Sequence, residues 1–230
     1  MSTLQGTPGK NTRTASDSSQ QFASWDYWGG GTLAVGEVAL VVGTWHDGAA
    51  SPLSFLIDDV SFTPVATIKH STEELYVTAG WLQNTTGSAL SERAVGLSTG
   101  VDRGHISIIV ARFSGMKTDG VPYVTYTSGE SSSDDDIAAS SINPGDDGSI
   151  MLVTASVDIE TWSAGASAMS IAQQENYLAL HYKNVTGALT PDAKGDSTSK
   201  KVALALAFLD TGSGSGGGIA LTGGGQMLGI

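Results

Sequence analysis

Short apolar stretches recur along the middle of the chain, and they constrain the fold more than any other feature of the sequence. Within them apolar residues either alternate with polar ones or form brief continuous runs, and Gly, Pro, Asp and Asn separate one stretch from the next. This pattern is typical of β-strands. The strongest candidates are Glu37–Trp45, Glu74–Leu82, His105–Phe113, Ile150–Val157, Tyr177–Val185 and Lys201–Leu209.

Weaker strand patterns lie between the strong ones. About ten strands in all suit a sandwich of two sheets, so we predict an all-β protein with a two-sheet β-sandwich. The weaker candidates are Leu53–Ile57, Phe62–Ile68, Arg93–Leu97, Tyr123–Thr127 and Ala166–Ala172.

The last strong strand is apolar on both faces. Val202, Leu204, Leu206 and Phe208 fall on one face, and alanines at 203, 205 and 207 fall on the other. A strand of an isolated sandwich normally shows a polar face to water. We therefore expect an arm, a loop or another subunit to cover the alanine face.

The composition suits one domain with an arm at each end. With 230 residues, 40% of them hydrophobic, the chain can build one buried core. We predict an N-terminal arm over 1–31 with an aromatic anchor, a β-sandwich over 32–211, and a Gly-rich C-terminal tail over 212–230 with an apolar tip. The side chains expected to dock on a partner are Phe22, Trp25, Tyr27, Trp28, Ile219, Leu221, Met227, Leu228 and Ile230.

Charge and cysteine content narrow the function. Eleven Lys and Arg against 23 Asp and Glu give a net charge of −12 without a basic stripe, which argues against nucleic acid as a partner. The chain has no Cys, so disulfides and thiolate sites are excluded. No classical signal sequence and no apolar run long enough to span a membrane is apparent.

Most motifs that carry catalysis are missing from the sequence. It contains no HExxH or P-loop pattern, and His46, His70, His105 and His181 lack the short spacing of metal ligands. A single match to GxSxG, at Gly96–Gly100, is a weak signal by itself. We therefore predict a protein that is not an enzyme and needs no cofactor.

Two binding hypotheses stay open beside assembly. Trp45, His46 and Asp47 crowd one turn and could bind a sugar together with Trp81 and Trp162, although a plain turn is the simpler interpretation. Carboxylates that could bind calcium cluster in two loops without EF-hand spacing, so solvated charge is the preferred interpretation. They are Asp134, Asp135, Asp136, Asp146 and Asp147.

The order of the segments resembles a loosely defined family of jelly-roll structural proteins of tailed-phage virions. The resemblance covers about three quarters of the chain. It consists of strand patterns and contains no catalytic motif. The matching segments are Val35–Val42, Phe62–Ala66, Leu75–Trp81, Ile108–Gly115, Gly148–Val153 and Val202–Phe208.

The resemblance implies a jelly-roll module of a virion, used as a capsid decoration, fibre or tail-tip protein. It also implies other capsid or tail proteins as partners and a homo-oligomer, with a trimer as the first guess. Carbohydrate-binding modules share the sandwich fold, so a module that binds a host glycan is the alternative.

Overall fold

The computed structural model describes residues 1–13, 20–24, 31–46, 56–57, 60–91, 94–98, 105–118, 120–145 and 147–211. These residues form seventeen β-strands and no helix, which confirms the predicted all-β fold. Nine strands lie in the first half of the chain: β1 Thr3–Arg13, β2 Gln20–Ser24, β3 Val38–His46, β4 Leu56–Ile57, β5 Val60–Ser61, β6 Thr63–Lys69, β7 Tyr76–Gln83, β8 Ala94–Ser98 and β9 His105–Ser114.

Eight further strands lie in the second half. They are β10 Tyr123–Ser131, β11 Asp136–Ala138, β12 Gly148–Ser156, β13 Ser163–Ala164, β14 Ser170–Glu175, β15 Leu178–Val185, β16 Asp192–Lys194 and β17 Lys201–Leu209.

Two five-stranded antiparallel sheets form the body of the protein. Sheet one has the order β1-β9-β3-β7-β6, and sheet two has the order β10-β17-β12-β15-β14. Their facing sides share one apolar core, to which Leu40 and Phe113 contribute from sheet one and Val153 and Leu206 from sheet two. The predicted two-sheet β-sandwich is therefore confirmed.

Each main sheet also buries its outer face. Over sheet one, Val41, Trp45 and Ile108 form a second apolar cluster with Leu97 of β8. Over sheet two, the small sheet β11-β16-β13 and its loops cover Ala203, Ala205 and Ala207, which are fully buried. The alanine face of β17 is thus covered by a nearby part of the same chain, and burial on both faces explains why the strands are apolar on both sides.

The second half of the chain repeats the topology of the first. Strands β1, β3, β6, β7 and β9 occupy the same places in sheet one as β10, β12, β14, β15 and β17 occupy in sheet two. The short pair β2-β8 likewise corresponds to β11-β16. Isolated bridges join Leu33 to Leu90 in the first half and Ile142 to Leu189 in the second. In each case they connect the segment before the central strand, β3 or β12, to the segment after the strand that pairs with it, β7 or β15.

The register of the strands follows the same repeat. Phe113 of β9 and Phe208 of β17 hold equivalent places, since each lies opposite the start of its central strand. The third main strand carries an irregularity at the same register position in both halves, at Pro64/Ala66 and at Ile171/Gln173. The first main strand of each half also carries one, at Gln5/Gly9 and at Tyr123/Thr125, although not at the same register position. The protein therefore consists of two topologically equivalent units packed face to face.

This connectivity does not confirm the jelly-roll prediction. A jelly roll is built from two Greek keys whose chain passes repeatedly between the two sheets. Here one half of the chain completes sheet one before the other half forms sheet two.

The start of the chain belongs to sheet one. Residues predicted as the N-terminal arm form β1, which pairs along its length with β9, and β2, which pairs with β8. A polar strand fits this place, because an edge strand has only one neighbour and needs fewer apolar side chains.

Candidate interaction surface

The edges of the two sheets meet along two seams, which occupy equivalent positions in the repeated topology. The first seam lies between β1 and β14, and the second lies between β6 and β10. Since each seam joins the first strand of one unit to the third strand of the other, differences between them come from side chains rather than from topology.

The first seam is closed by polar contacts. Lys10 Nζ lies 2.9 Å from a carboxylate oxygen of Glu175 and donates to the Gln174 carbonyl at 3.0 Å. Gln173 Nε2 donates to the Pro8 carbonyl at 3.1 Å. These contacts surround a shallow cleft of about 400 Å³.

The second seam carries uncharged residues where the first carries charges. In register, Lys10 corresponds to Ser128 and Glu175 corresponds to Ile68, so no ion pair can form there. Likewise Ala66 stands in place of Gln173. We call this surface the apolar seam, and it comprises Val65, Ala66 and Ile68 of β6 with Tyr123, Val124 and Tyr126 of β10.

Two residues of the apolar seam are exposed to solvent. Tyr126 lies opposite Leu206, whose side chain is in the central core, so Tyr126 points to the gap between the sheets and yet is 43% exposed. Val124, at the irregularity of β10, is 41% exposed. Val121, just before the strand, adds a third exposed apolar side chain.

Polar contacts close the far end of the apolar seam. Glu130 accepts hydrogen bonds of 2.7 Å from both the backbone nitrogen and the hydroxyl of Ser71, and these bonds lower the pKa of Glu130. His70 Nε2 lies 3.1 Å from the Ser131 carbonyl oxygen. The seam is thus open only along the first part of β10.

The tryptophans considered for sugar binding are buried. Trp45 is fully buried and stacks on Tyr76 with ring centroids 4.9 Å apart, Trp81 belongs to the central core, and Trp162 lies beneath the small sheet. None of the three presents a ring face to solvent. His46 is half-buried beside Trp45, and Asp47 lies outside the described residues.

A stack of aromatic rings connects the two sheets at one end of the sandwich. The ring of His105 lies between those of His46, at 5.4 Å, and Tyr177, at 3.7 Å. Burial, together with the nearby His46, lowers the pKa of His105 to about 3. The neutral imidazole therefore serves as a packing group near neutral pH.

A buried ion pair, which sequence reasoning missed, anchors the loops at the edge of sheet two. Lys201 Nζ lies 3.2 Å from Glu160 Oε1, and both side chains are fully buried. The ammonium also donates to the carbonyls of Asp134, Ser197 and Ser199. A lysine that opens an otherwise apolar strand next to a serine-rich loop was the only signal in the sequence.

A second buried polar cluster joins the beginning of the chain to sheet two. Ser149 Oγ donates to Asp210 Oδ1 at 2.6 Å, and the backbone nitrogen of Ser2 donates to Asn184 Oδ1 and to Asp210 Oδ2. Asn84 is also buried, and its side-chain nitrogen donates to Leu33 O and Ser88 O. The amide nitrogens of Asn84 and Asn184 are both engaged within the fold.

The acidic loops contain little that would hold a cation. Asp135 pairs with Lys194 at 2.7 Å, while Asp134, Asp136 and Asp147 are exposed. Asp146 lies outside the described residues. Within the described part of the chain, no three His, Asp or Glu side chains are arranged to bind a metal ion.

Most of the predicted docking residues lie outside the described residues. Phe22 lies in β2, opposite Gly96. The other predicted docking residues fall in segments that the structure does not describe; they are Trp25, Tyr27, Trp28, Ile219, Leu221, Met227, Leu228 and Ile230.

No helix in the described ranges is long and apolar enough to cross a membrane.

Comparisons with protein-family models, with curated proteins and with solved structures found no match to this chain.

Proposed function

We propose that this protein is a non-catalytic structural component of a tailed-phage virion, a capsid-decoration or tail-associated surface protein that assembles with its neighbours through its terminal segments. The assembly part of the proposal rests on the apolar seam, where Val124 and Tyr126 leave apolar surface exposed on an edge strand. Exposed apolar surface at a sheet edge favours pairing with another chain. The virion part rests on the resemblance of the strand patterns.

The rest of the sandwich suits a rigid building block. The inner strands of both main sheets, such as β12 and β17, are buried on both faces within the chain, so the exposed sheet surface lies at edge strands such as β10 and β14. The net charge of −12 disfavours unspecific association, which leaves assembly to specific contacts. The carbohydrate-binding alternative gains no support, because the three tryptophans on which it depends are buried.

The virion assignment can be tested on particles from the phage or prophage that encodes the chain. We expect density-purified particles to contain peptides of this chain by mass spectrometry, and gold-labelled antibodies against the recombinant protein to mark one part of the particle in electron micrographs. Recovery of the chain only from the soluble fraction of the lysate would refute the proposal.

A further inference from the structure

The apolar seam has the geometry of a site for an extended segment. Among the described residues, β10 pairs with a strand on one side only, its partner being β17. Residues 138–140 approach its other side from Thr127 onward, where Thr127 Oγ1 donates to the Ser140 carbonyl at 2.8 Å and Ser140 N donates to the Ser128 carbonyl at 3.1 Å. The stretch from Tyr123 to Tyr126, which these contacts leave free, spans roughly 10–13 Å. That length accommodates three or four residues of an added strand, with side chains over Val124 and Tyr126.

The C-terminal segment of the chain has the composition that this site requires. Residues 219–230 include five large apolar side chains and carry no charge, so they would not bring an unpaired charge onto an apolar surface. Residues 212–218, which precede them, are only Gly and Ser and so place no large side chain between the body and the apolar residues. The apolar runs Ile219–Leu221 and Met227–Ile230 match the free stretch of β10 in length.

The direction of the strands favours a second copy over the chain's own tail. A segment that pairs antiparallel with β10 must run in the direction of β17 and leave beside Tyr123. The described chain ends at Thr211, near this exit, because Leu209 N donates to the Pro122 carbonyl at 2.7 Å. Its own tail would therefore have to run back past the free stretch and reverse before pairing antiparallel, whereas the tail of a neighbour can enter directly.

We propose that the apolar seam of one copy binds the apolar residues 219–230 of a second copy by strand addition to β10. This inference rests on the proposed assembly function and names the partner of its edge. Antiparallel addition supplies main-chain hydrogen bonds, and the apolar side chains of the tail cover Val124 and Tyr126. A tail-to-seam contact is heterologous, so repetition closes a ring or, by reciprocal exchange, a dimer.

Two full-length variants and one control test the proposal. The seam variant carries Tyr126→Lys, and the tail variant carries Ile219→Asp together with Leu221→Asp and Leu228→Asp. The control carries Ile171→Lys, since Ile171 is similarly exposed, at 37%, on the opposite edge strand of the same sheet. Circular dichroism and thermal unfolding verify that each variant is folded.

Sedimentation equilibrium over a range of concentrations provides the readout. We expect the natural sequence and Ile171→Lys to self-associate equally, and the seam and tail variants each to dissociate at least about tenfold more readily, because a charge would be buried without a partner. A mixture of the seam and tail variants should regain pairs, since one supplies an intact tail and the other an intact seam.

A natural-sequence protein that stays monomeric throughout would overturn the inference, and so would a mixture that fails to restore association. The inference would also be overturned if the protein stayed monomeric because its own tail covered its seam. Failure here is distinguishable from failure of the virion proposal. Virions that contain a monomeric protein refute only this inference, whereas a self-associating protein absent from virions refutes only the virion proposal.

Discussion

Replacing Lys201 by Met should destabilise the protein more than any other change of a single lysine among the described residues. The ammonium lies 3.2 Å from Glu160 Oε1, 2.6 Å from the Ser197 carbonyl and 3.0 Å from the Asp134 carbonyl, and the side chain is fully buried. Methionine fills a similar volume but leaves the Glu160 carboxylate without its counter-charge and the carbonyls without a donor. Breaking a buried pair on one side costs about 3–5 kcal/mol.

Chemical denaturation in urea measures this loss, with the slope of the transition used to check that both states keep their compactness. For a domain of this size the loss corresponds to a decrease of roughly 6–20 °C in Tm. Lys200→Met is the matched control, because Lys200 pairs with Glu73 at the surface with both side chains at least 30% exposed. Such exposed pairs contribute about 1 kcal/mol or less. Equal losses for the two variants would refute the reasoning.

Two further predictions concern pH and close packing. Burial lowers the pKa of His105 to about 3 and of His181 to about 4, so both are neutral in the fold but titrate near 6.5 when unfolded. The unfolded state then binds more protons as pH falls, so urea denaturation should show a stability lower by about 1.6 kcal/mol per histidine at pH 5 than at pH 6.5. His105→Phe should remove roughly half of the combined loss of the two histidines. A pH-independent stability over this range would contradict the assignment. For Gly129→Ala we expect a loss of about 1–3 kcal/mol or more in urea denaturation, because a Cβ would lie 1.9 Å from the Ala138 carbonyl oxygen. Gly187→Ala, with nothing within 4 Å, should be neutral, and equal effects of the two would show that the close approach is absent.

The main strands could be predicted from the sequence because their buried positions carry apolar residues in a regular pattern. All six strong strand predictions correspond to strands of the two main sheets, and the apolar alternation that marks them comes from the central core. The alanine face of β17 correctly indicated a cover, since both faces of that strand are buried. Strand β1 was not predicted as a strand, because Thr3–Arg13 is largely polar and its place is set by pairing with β9 rather than by its own side chains.

Other features could not be read from the sequence because they depend on distant contacts. Nothing local shows that Lys201 meets Glu160, which lies 41 residues earlier in the chain, or that His105 stacks on Tyr177. Indole side chains chosen as sugar platforms were buried, since sequence alone does not distinguish an aromatic residue in a core from one at a surface. The sequence does not show the repeat of the two halves, because positions that are equivalent in register carry different residue types.

The repeat gives the protein two seams of equivalent topology. Equivalent topology places the same pairs of strands at both seams, so a single architecture offers two edges where another chain could add. Lys10 and Glu175 close the first edge with an ion pair and leave it polar, which protects an edge strand from pairing with other chains. The second edge has Ser128 and Ile68 at those positions and exposes Tyr126, so it lacks that protection. Restricting strand addition to one of two equivalent edges gives each copy one receiving site, which matches its one C-terminal segment.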